Sequence, residues 1–217
     1  MSKLSKRLSV IAKLVNKKRV CDVGCDHGKL AEYLLENKIV DYMVVSDISQ
    51  PSLNKAIELL SNKNFNFEHI CCNGLTGYID KKIDQAVISG MGGDEIIDII
   101  TNNPIIINSF ILSPQHNIKP VKHFMLDNGY KIDYDIIISD KGKFYNIFRC
   151  VKSKDKCEYT DFNLVIGKEN FTDNESAIDE FVKFEINKIN NILNTHKVVN
   201  AELIDYLELL KEYYKRI

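Results

Sequence analysis

Two short stretches carry carboxylates and glycines at spacings that could hold a small ligand. The first is Asp22-x-Gly24-x-Asp26-His27, inside RVCDVGCDHGKL at Arg19 to Leu30. The run Arg19 to Val23 predicts a buried strand, Gly24 a turn, and the next helix begins near Gly28 or Lys29. Asp22 then stands at the carboxyl end of that strand, where open α/β sheets bind their ligands, and Gly24 lets backbone N–H groups approach one closely. A dinucleotide fingerprint G-x-G-x-x-G would seat a pyrophosphate at the helix N-terminus. Here Asp26 occupies the second glycine position and would face the phosphates with an anion. A cationic or zwitterionic nucleoside fits the stretch better.

The second stretch is Ser89-Gly90-Met91-Gly92-Gly93, directly after a near-continuously apolar run, Gln85 to Ile88, which predicts a fourth strand buried on both faces. Five of the ten glycines therefore lie in two loops that each follow a strand, where backbone must pass close to something or take positive φ. Between the two loops, Asp47 ends a predicted second strand (42–45) and lies 23 residues after Gly24. That spacing suits a carboxylate gripping both hydroxyls of a ribose. Asn73 and Gly74 follow a third strand, Phe67 to Cys71, and could meet an adenine ring or form an ordinary Asn-Gly turn. Asp26 could equally cap the helix that follows it, with His27 a loop residue. His116 and His123 have no convergent cysteine or carboxylate spacing, so no metal is expected. Phe144 and Tyr145 are sheet-core aromatics or platforms for a flipped base.

The elements that must position these residues alternate along the chain. Leu4, Leu8, Ile11, Ala12 and Val15 recur at helical spacing, giving an amphipathic opening helix that covers the sheet. Further helices are expected over 29–36, from Pro51 to Leu60, from Asp94 to about Thr101, and from Pro120 to a cap at Asn128-Gly129. A fifth strand, Phe110 to Ser113, ends in Pro114-Gln115-His116-Asn117. The alternating run 132–138, the turn Asp140-Lys141-Gly142 and the run Lys143 to Cys150 predict a β-hairpin closing the sheet. From Lys152 the sequence turns polar. Ile178, Val182, Ile186, Ile189, Leu193 and His196, then Leu203, Leu207, Leu210, Tyr214 and Ile217, are spaced by alternating fours and threes, the seam of an antiparallel helical hairpin.

The 217 residues are 45% apolar and 27% charged, enough for one full core plus an appendage. No apolar run approaches a membrane span and no signal-peptide core follows the N-terminal lysines, so no membrane partner and a cytoplasmic location are expected. The six cysteines contain no C-x-x-C pair and read as reduced core or near-site thiols. Net charge is −1, but residues 1–21 hold Lys3, Lys6, Arg7, Lys13, Lys17, Lys18 and Arg19 with no acid. That segment is +7 and the remainder −8, an asymmetry that fits either a basic face for nucleic acid or a solvated lysine-rich helix.

Together these motifs resemble a class I S-adenosylmethionine-dependent methyltransferase, and more narrowly the bacterial tRNA (adenine-22-N1)-methyltransferase family. The resemblance rests on LSKRL at 4–8, DVGCDHGKL at 22–30, NGL at 73–75, SGMGG at 89–93, SPQHN at 113–117 and DKGKFYNI at 140–147. It implies a Rossmann-like α/β sheet over 1–157 with a C-terminal coiled-coil hairpin over 158–217. It also implies S-adenosyl-L-methionine as cofactor, and methyl transfer to N1 of adenine 22 in tRNA. Leu8, Asp22, Gly24, Asp26 and His27 would line the methionine end, Asp47 would hold the ribose, and Ile48, Asn73 and Gly74 the adenine. Gly90, Met91 and Gly92 replace the N-P-P-Y turn of many amino-methylating relatives, which suits a ring-nitrogen target. Asp26 would stabilise charge developing on the base, with His27 beside it. Lys3, Lys6, Arg7 and Lys13 would meet tRNA phosphates. A monomer is expected, with dimerisation through the hairpin as the alternative. Two other readings remain open: an NAD-dependent oxidoreductase, and a tRNA-binding protein that keeps the fold without turnover.

Overall fold

Along each central strand, successive side chains point to opposite faces, and both faces are covered. In the computed structural model, which describes residues 4–155, 158–168, 175–196 and 201–216, Val20 and Val87 enter one apolar cluster while Cys21, Val23 and Ile88 enter another. The first cluster is completed by α1 (Lys6–Leu14), α2 (Lys29–Glu36) and α3 (Gln50–Ser61), the second by α4 (Gly93–Thr101) and α5 (Ile118–Asp127). Between these layers lie β1 (Arg19–Val23), β2 (Tyr42–Asp47), β3 (Phe67–Cys71), β4 (Gln85–Ser89), β5 (Ser109–Ser113), β6 (Tyr130–Asp140) and β7 (Lys143–Lys152).

The sheet order is β3-β2-β1-β4-β5-β7-β6. The first five strands pair in parallel, and β7 runs antiparallel between β5 and β6. The chain passes from β1 outward through β2 to β3 and returns to β4 on the other side of β1. A crevice therefore opens beyond the carboxyl ends of β1 and β4, the switch point of an open α/β sheet. The expected Rossmann-like α/β class is the observed one, and each predicted strand and helix lies within a few residues of its expected bounds. Ser5 caps α1 by accepting from the Leu8 N–H at 3.2 Å, and Ser49 caps α3 ahead of Pro51 in its first turn. The β6–β7 turn has Lys141 and Gly142 both at positive φ (52° and 74°), the backbone of a two-residue hairpin turn.

Beyond β7 come α6 (Asp161–Ile166), α7 (Glu175–His196) and α8 (Ala201–Arg216). Asp179 lies beside Tyr214 and Glu185 beside Tyr206, so α7 and α8 run antiparallel, as the seam spacing predicts. Ile178, Val182, Ile189, Leu207 and Leu210 are buried in that seam. One seam position differs: Tyr213 is fully buried and Tyr214 is 40% exposed. The reason is α6, a short helix that the sequence pattern does not mark. It packs on α8 with Phe162 and Ile166 and draws the buried face of α8 round by one residue. The side chain of His196, and Ile217, lie outside the described residues, as do Lys3, Cys157 and residues 197–200 between α7 and α8.

A fully buried ion pair ties this region to the sheet. Lys122 on α5 donates to Asp135 on β6 at 2.8 Å and to the carbonyl of Leu164 on α6 at 2.9 Å. Tyr159 also donates to Asp135, at 3.4 Å.

Candidate functional site

Two cavities share the crevice at the switch point. One, of about 180 Å³, is lined by Asp47, Ile48, Asn73, Gly74 and Met91; the other, of about 310 Å³, by Arg7, Leu8, Asp22, Asp26 and His27. Gly24, Ser89 and Gly90 line both, so the lobes meet where the two glycine loops face each other. Of the residues expected to hold a cofactor, all but Gly92 line one lobe or the other. A Cβ on Gly92 would lie 2.7 Å from the His116 ring, which places Gly92 against the next loop and outside the cleft.

The cleft is built largely from backbone. Gly24 takes φ +72°, a backbone conformation that favours glycine, and the Met91 methyl of the second loop packs directly over its Cα. The N–H groups of Gly24 and Cys25 both donate to the Ser46 carbonyl (2.8 and 2.9 Å), which fixes the β1 turn on the end of β2. Asp47 accepts from the Asp26 N–H at 3.1 Å and from the Ser49 N–H at 2.8 Å. Each bond uses one lone pair of a carboxylate oxygen and leaves acceptor capacity facing the lobe. Across the cleft, Gln115 donates its amide N–H to the Gly90 carbonyl at 2.6 Å, and the Gly93 N–H donates to the His116 carbonyl at 3.1 Å. These bonds hold the SGMGG and SPQHN loops together as one wall.

The cleft's electrostatics are dominated by carboxylates. Asp22 is only 5% exposed, and burial, reinforced by the charge of Asp47 and opposed by that of Arg7, pushes its pKa up to about 7. A ligand cation would restore the ionised form. Asp26 sits at φ +48° with its side chain 70% exposed, and its carboxylate is 3.7 Å from His27 Nε2. It does not cap α2. The N-cap is Gly28, with no side-chain cap bond, so Asp26 is freed from that structural use.

The basic N-terminal segment does not form one face. Lys6 and Lys13 are exposed on α1, but Arg7 turns into the methionine lobe, with its guanidinium 5.1 Å from the Tyr145 ring and its backbone N–H donating to Asp140 at 3.3 Å. Lys18 pairs with Asp41, and Arg19 stacks on Tyr42 while donating to the Lys82 carbonyl at 2.7 Å. Arg7 is thus a cleft residue, although its sequence neighbourhood groups it with lysines expected to meet phosphates. Gln115 is a wall of the cleft that the sequence reading misses; its strand-end position after β5 is the available signal. Phe144 and Tyr145 are half-buried: Tyr145 packs against the core between the sheet and α1–α3, whereas Phe144 packs against the cluster formed by α6, α7 and α8. Among the described residues, no helix is long and apolar enough to cross a membrane, and no three His, Cys, Asp or Glu side chains are grouped to hold a metal.

Comparisons with known proteins place this geometry. A family model described as "Methyltransferase domain" matches residues 4–148. A Mycoplasma pneumoniae protein named "Putative tRNA methyltransferase" is 31% identical over 183 residues, covering 81% of this chain and 85% of that one. The structure of Mycoplasma capricolum TrmK with S-adenosylhomocysteine superposes with a TM-score of 0.86 at 25% identity, covering 98% of each chain. The Bacillus subtilis m1A22 tRNA methyltransferase TrmK gives a TM-score of 0.82 at 20% identity, covering 97% of this chain and 98% of that one, which speaks for the shared fold.

Proposed function

This chain belongs to the methyltransferase-domain family, and on that premise we propose that it transfers the methyl group of S-adenosyl-L-methionine to N1 of adenine 22 in tRNA. The observation that carries the reading is the two-lobed acidic cleft, with Asp47 at the end of β2 and Asp22 at the end of β1, in a chain whose full length follows that of TrmK with bound S-adenosylhomocysteine. The residues fit the cofactor. Asp47 retains acceptor capacity for a ribose, Ile48, which is 71% exposed, offers an apolar cover for an adenine, and Asp22 awaits a cation. An oxidoreductase reading is not favoured, since Asp26 stands where a pyrophosphate would need bare backbone.

Bound S-adenosylmethionine supplies a methyl group on a sulfonium, whose S–C bond breaks as the N1–C bond forms. Adenine N1 is unprotonated at neutral pH and carries the attacking lone pair, so the protein's task is positioning and electrostatics. Gly24, Ser89 and Gly90, common to both lobes, mark where the reacting groups meet. Their small or absent side chains leave room for in-line approach. Asp26, beside this junction, balances the positive charge that develops on the adenine ring or accepts from its N6 amino group, and His27 orients that carboxylate. The exposure of Asp26 means its charge gains strength only once RNA covers the cleft and excludes water. The chain divides at about residue 157, the first part holding the cofactor and 158–217 helping to hold the RNA. The protein acts as a monomer in the cytoplasm.

Reverse transcription of a tRNA transcript treated with the pure protein and cofactor tests the activity, because a methyl on N1 blocks Watson–Crick pairing. A block at nucleotide 22, with the cDNA ending on its immediate 3′ neighbour and the block lost when adenine 22 is replaced by guanine, is expected. A stop elsewhere, or none, contradicts the proposal.

A further inference from the structure

A larger groove of about 570 Å³ lies beside the cleft, bounded by the start of α5, the β6–β7 turn and the inner face of α7. Gln115 lines both the groove and the methionine lobe, so the groove begins where the cleft ends. Its floor is aromatic. Phe144 packs edge-on against Phe181 and at a tilt against Phe184, each at 5.5 Å between ring centroids, and Phe184 keeps 52% of its surface exposed. Of the lysines that line it, Lys119 pairs with Asp161 at 2.8 Å and Lys188 with Glu185 at 3.3 Å, while Lys143 stands exposed at the β6–β7 turn. Asn146 on β7 also lines it, only 8% exposed, and its Oδ1 is buried without a hydrogen-bond partner. An orphaned buried amide calls for an explanation. Rotation of its terminal torsion can present either the oxygen or the NH₂ to the groove.

Building on the proposed tRNA activity, we infer that this groove is a second base-binding subsite, which takes an unstacked base of the tRNA nucleotide next to the methylated adenine. A base offers a π-face for Phe184 and a hydrogen-bonding edge for Asn146, and the phosphate of its nucleotide suits the exposed Lys143. An enzyme acting on one extruded base commonly sets its sequence context through the nucleotides on either side. The shared wall at Gln115 puts the two subsites next to each other, as consecutive nucleotides require. An apolar peptide would match the phenylalanines but leave the buried Asn146 oxygen and the exposed Lys143 unanswered.

The test uses the full-length variants Phe184→Ala and Asn146→Leu. Phe184 is half exposed, and leucine removes an unpaired amide at similar volume, so both variants should keep the wild-type melting temperature and S-adenosylhomocysteine affinity. The KM for tRNA should rise roughly tenfold in each, the size of one lost base stack. An unchanged KM in folded Phe184→Ala overturns the inference, whatever the stability of the Asn146 variant. So does a wild-type dimer that Phe184→Ala dissociates without any change in KM, since a second copy of the chain would then fill the groove. If the wild-type protein leaves tRNA unmethylated, the proposed function fails separately. In that event filter binding of tRNA decides the groove: a tenfold weaker Phe184→Ala supports it, and equal affinity rejects it.

Discussion

The cofactor cleft and the groove beside it share a wall and differ in almost every other physical respect. The cleft is acidic, with Asp22, Asp26, Asp47 and Glu95 against Arg7 and Lys29, and its shape is set by backbone, down to a glycine at positive φ in the β1 turn. The groove is aromatic, with lysines at its rim of which Lys119 and Lys188 are held in ion pairs, and it is assembled from side chains on α5, β7, α6, α7 and α8 that are far apart in sequence. A sulfonium-bearing nucleoside and a polyanionic RNA need opposite fields. On the proposed reading, separating them by one loop lets each be bound without repelling the other, with the reacting atoms meeting at Gly24 and Gly90.

The largest expected effect breaks the frame that keeps the two surfaces together. Lys122→Met would leave Asp135 buried without its cation and remove the link to Leu164 on α6. Loss of one partner of a buried pair costs about 3–5 kcal/mol, to be read from urea unfolding of the variant against the wild type.

Within the cleft, Asp26→Asn keeps the shape and removes the charge beside the reacting base. Turnover should fall on the order of a hundredfold, with tRNA and cofactor affinities little changed. Single-turnover methylation at saturating substrates checks this, and wild-type turnover would reduce Asp26 to a loop residue.

The acidic character of the cleft also predicts a pH dependence. With a free-state pKa of about 7, Asp22 must lose a proton to meet the cationic cofactor. Cofactor affinity should therefore fall about tenfold per unit as the pH drops below 7, and level off above it. The linked effect on folding has the opposite direction. The native state holds this proton more tightly than the unfolded chain, so the Asp22 contribution to stability is full below about pH 4 and is lost as the pH rises through about 7. Asp22→Asn should flatten both profiles, in calorimetric titration and in melting curves taken across that range.

The smallest effect concerns the surface outside both cavities. Changing the exposed Lys6 and Lys13 to glutamate should weaken tRNA binding a few-fold and reduce the salt slope by about one for each phosphate that is no longer neutralised. An unaltered slope would leave these lysines as a solvated helix face.

The contrast between the two surfaces also explains what the sequence revealed. Gly24, Asp47, Gly90 and the strands before them form local motifs, because a backbone-built cleft must write its positive φ angles and strand-end acids into consecutive residues. Arg7 escaped, because nothing local distinguishes a lysine-rich helix face from an arginine turned inward over Tyr145. Phe184 escaped too, as an apolar residue off the seam of α7 whose meaning comes only from Phe144, forty residues away. The short α6 is a six-residue, largely apolar run, DFNLVI, too short to show a helical period, and its role depends on Lys122 and the buried face of α8. Lys122 and α6 lie on either side of residue 157, so their hydrogen bond joins the helical part of the chain to the sheet.

The division of labour is tested most directly by measuring both KM values in Asp47→Ala. The carboxylate is held on the cofactor side by the Asp26 and Ser49 N–H groups, and loss of a charge-assisted bond there is worth roughly 1.5–3 kcal/mol. The KM for S-adenosylmethionine should rise about tenfold or more, while the KM for tRNA stays at its wild-type value. An unchanged cofactor KM, or an equal rise in both, would contradict the account.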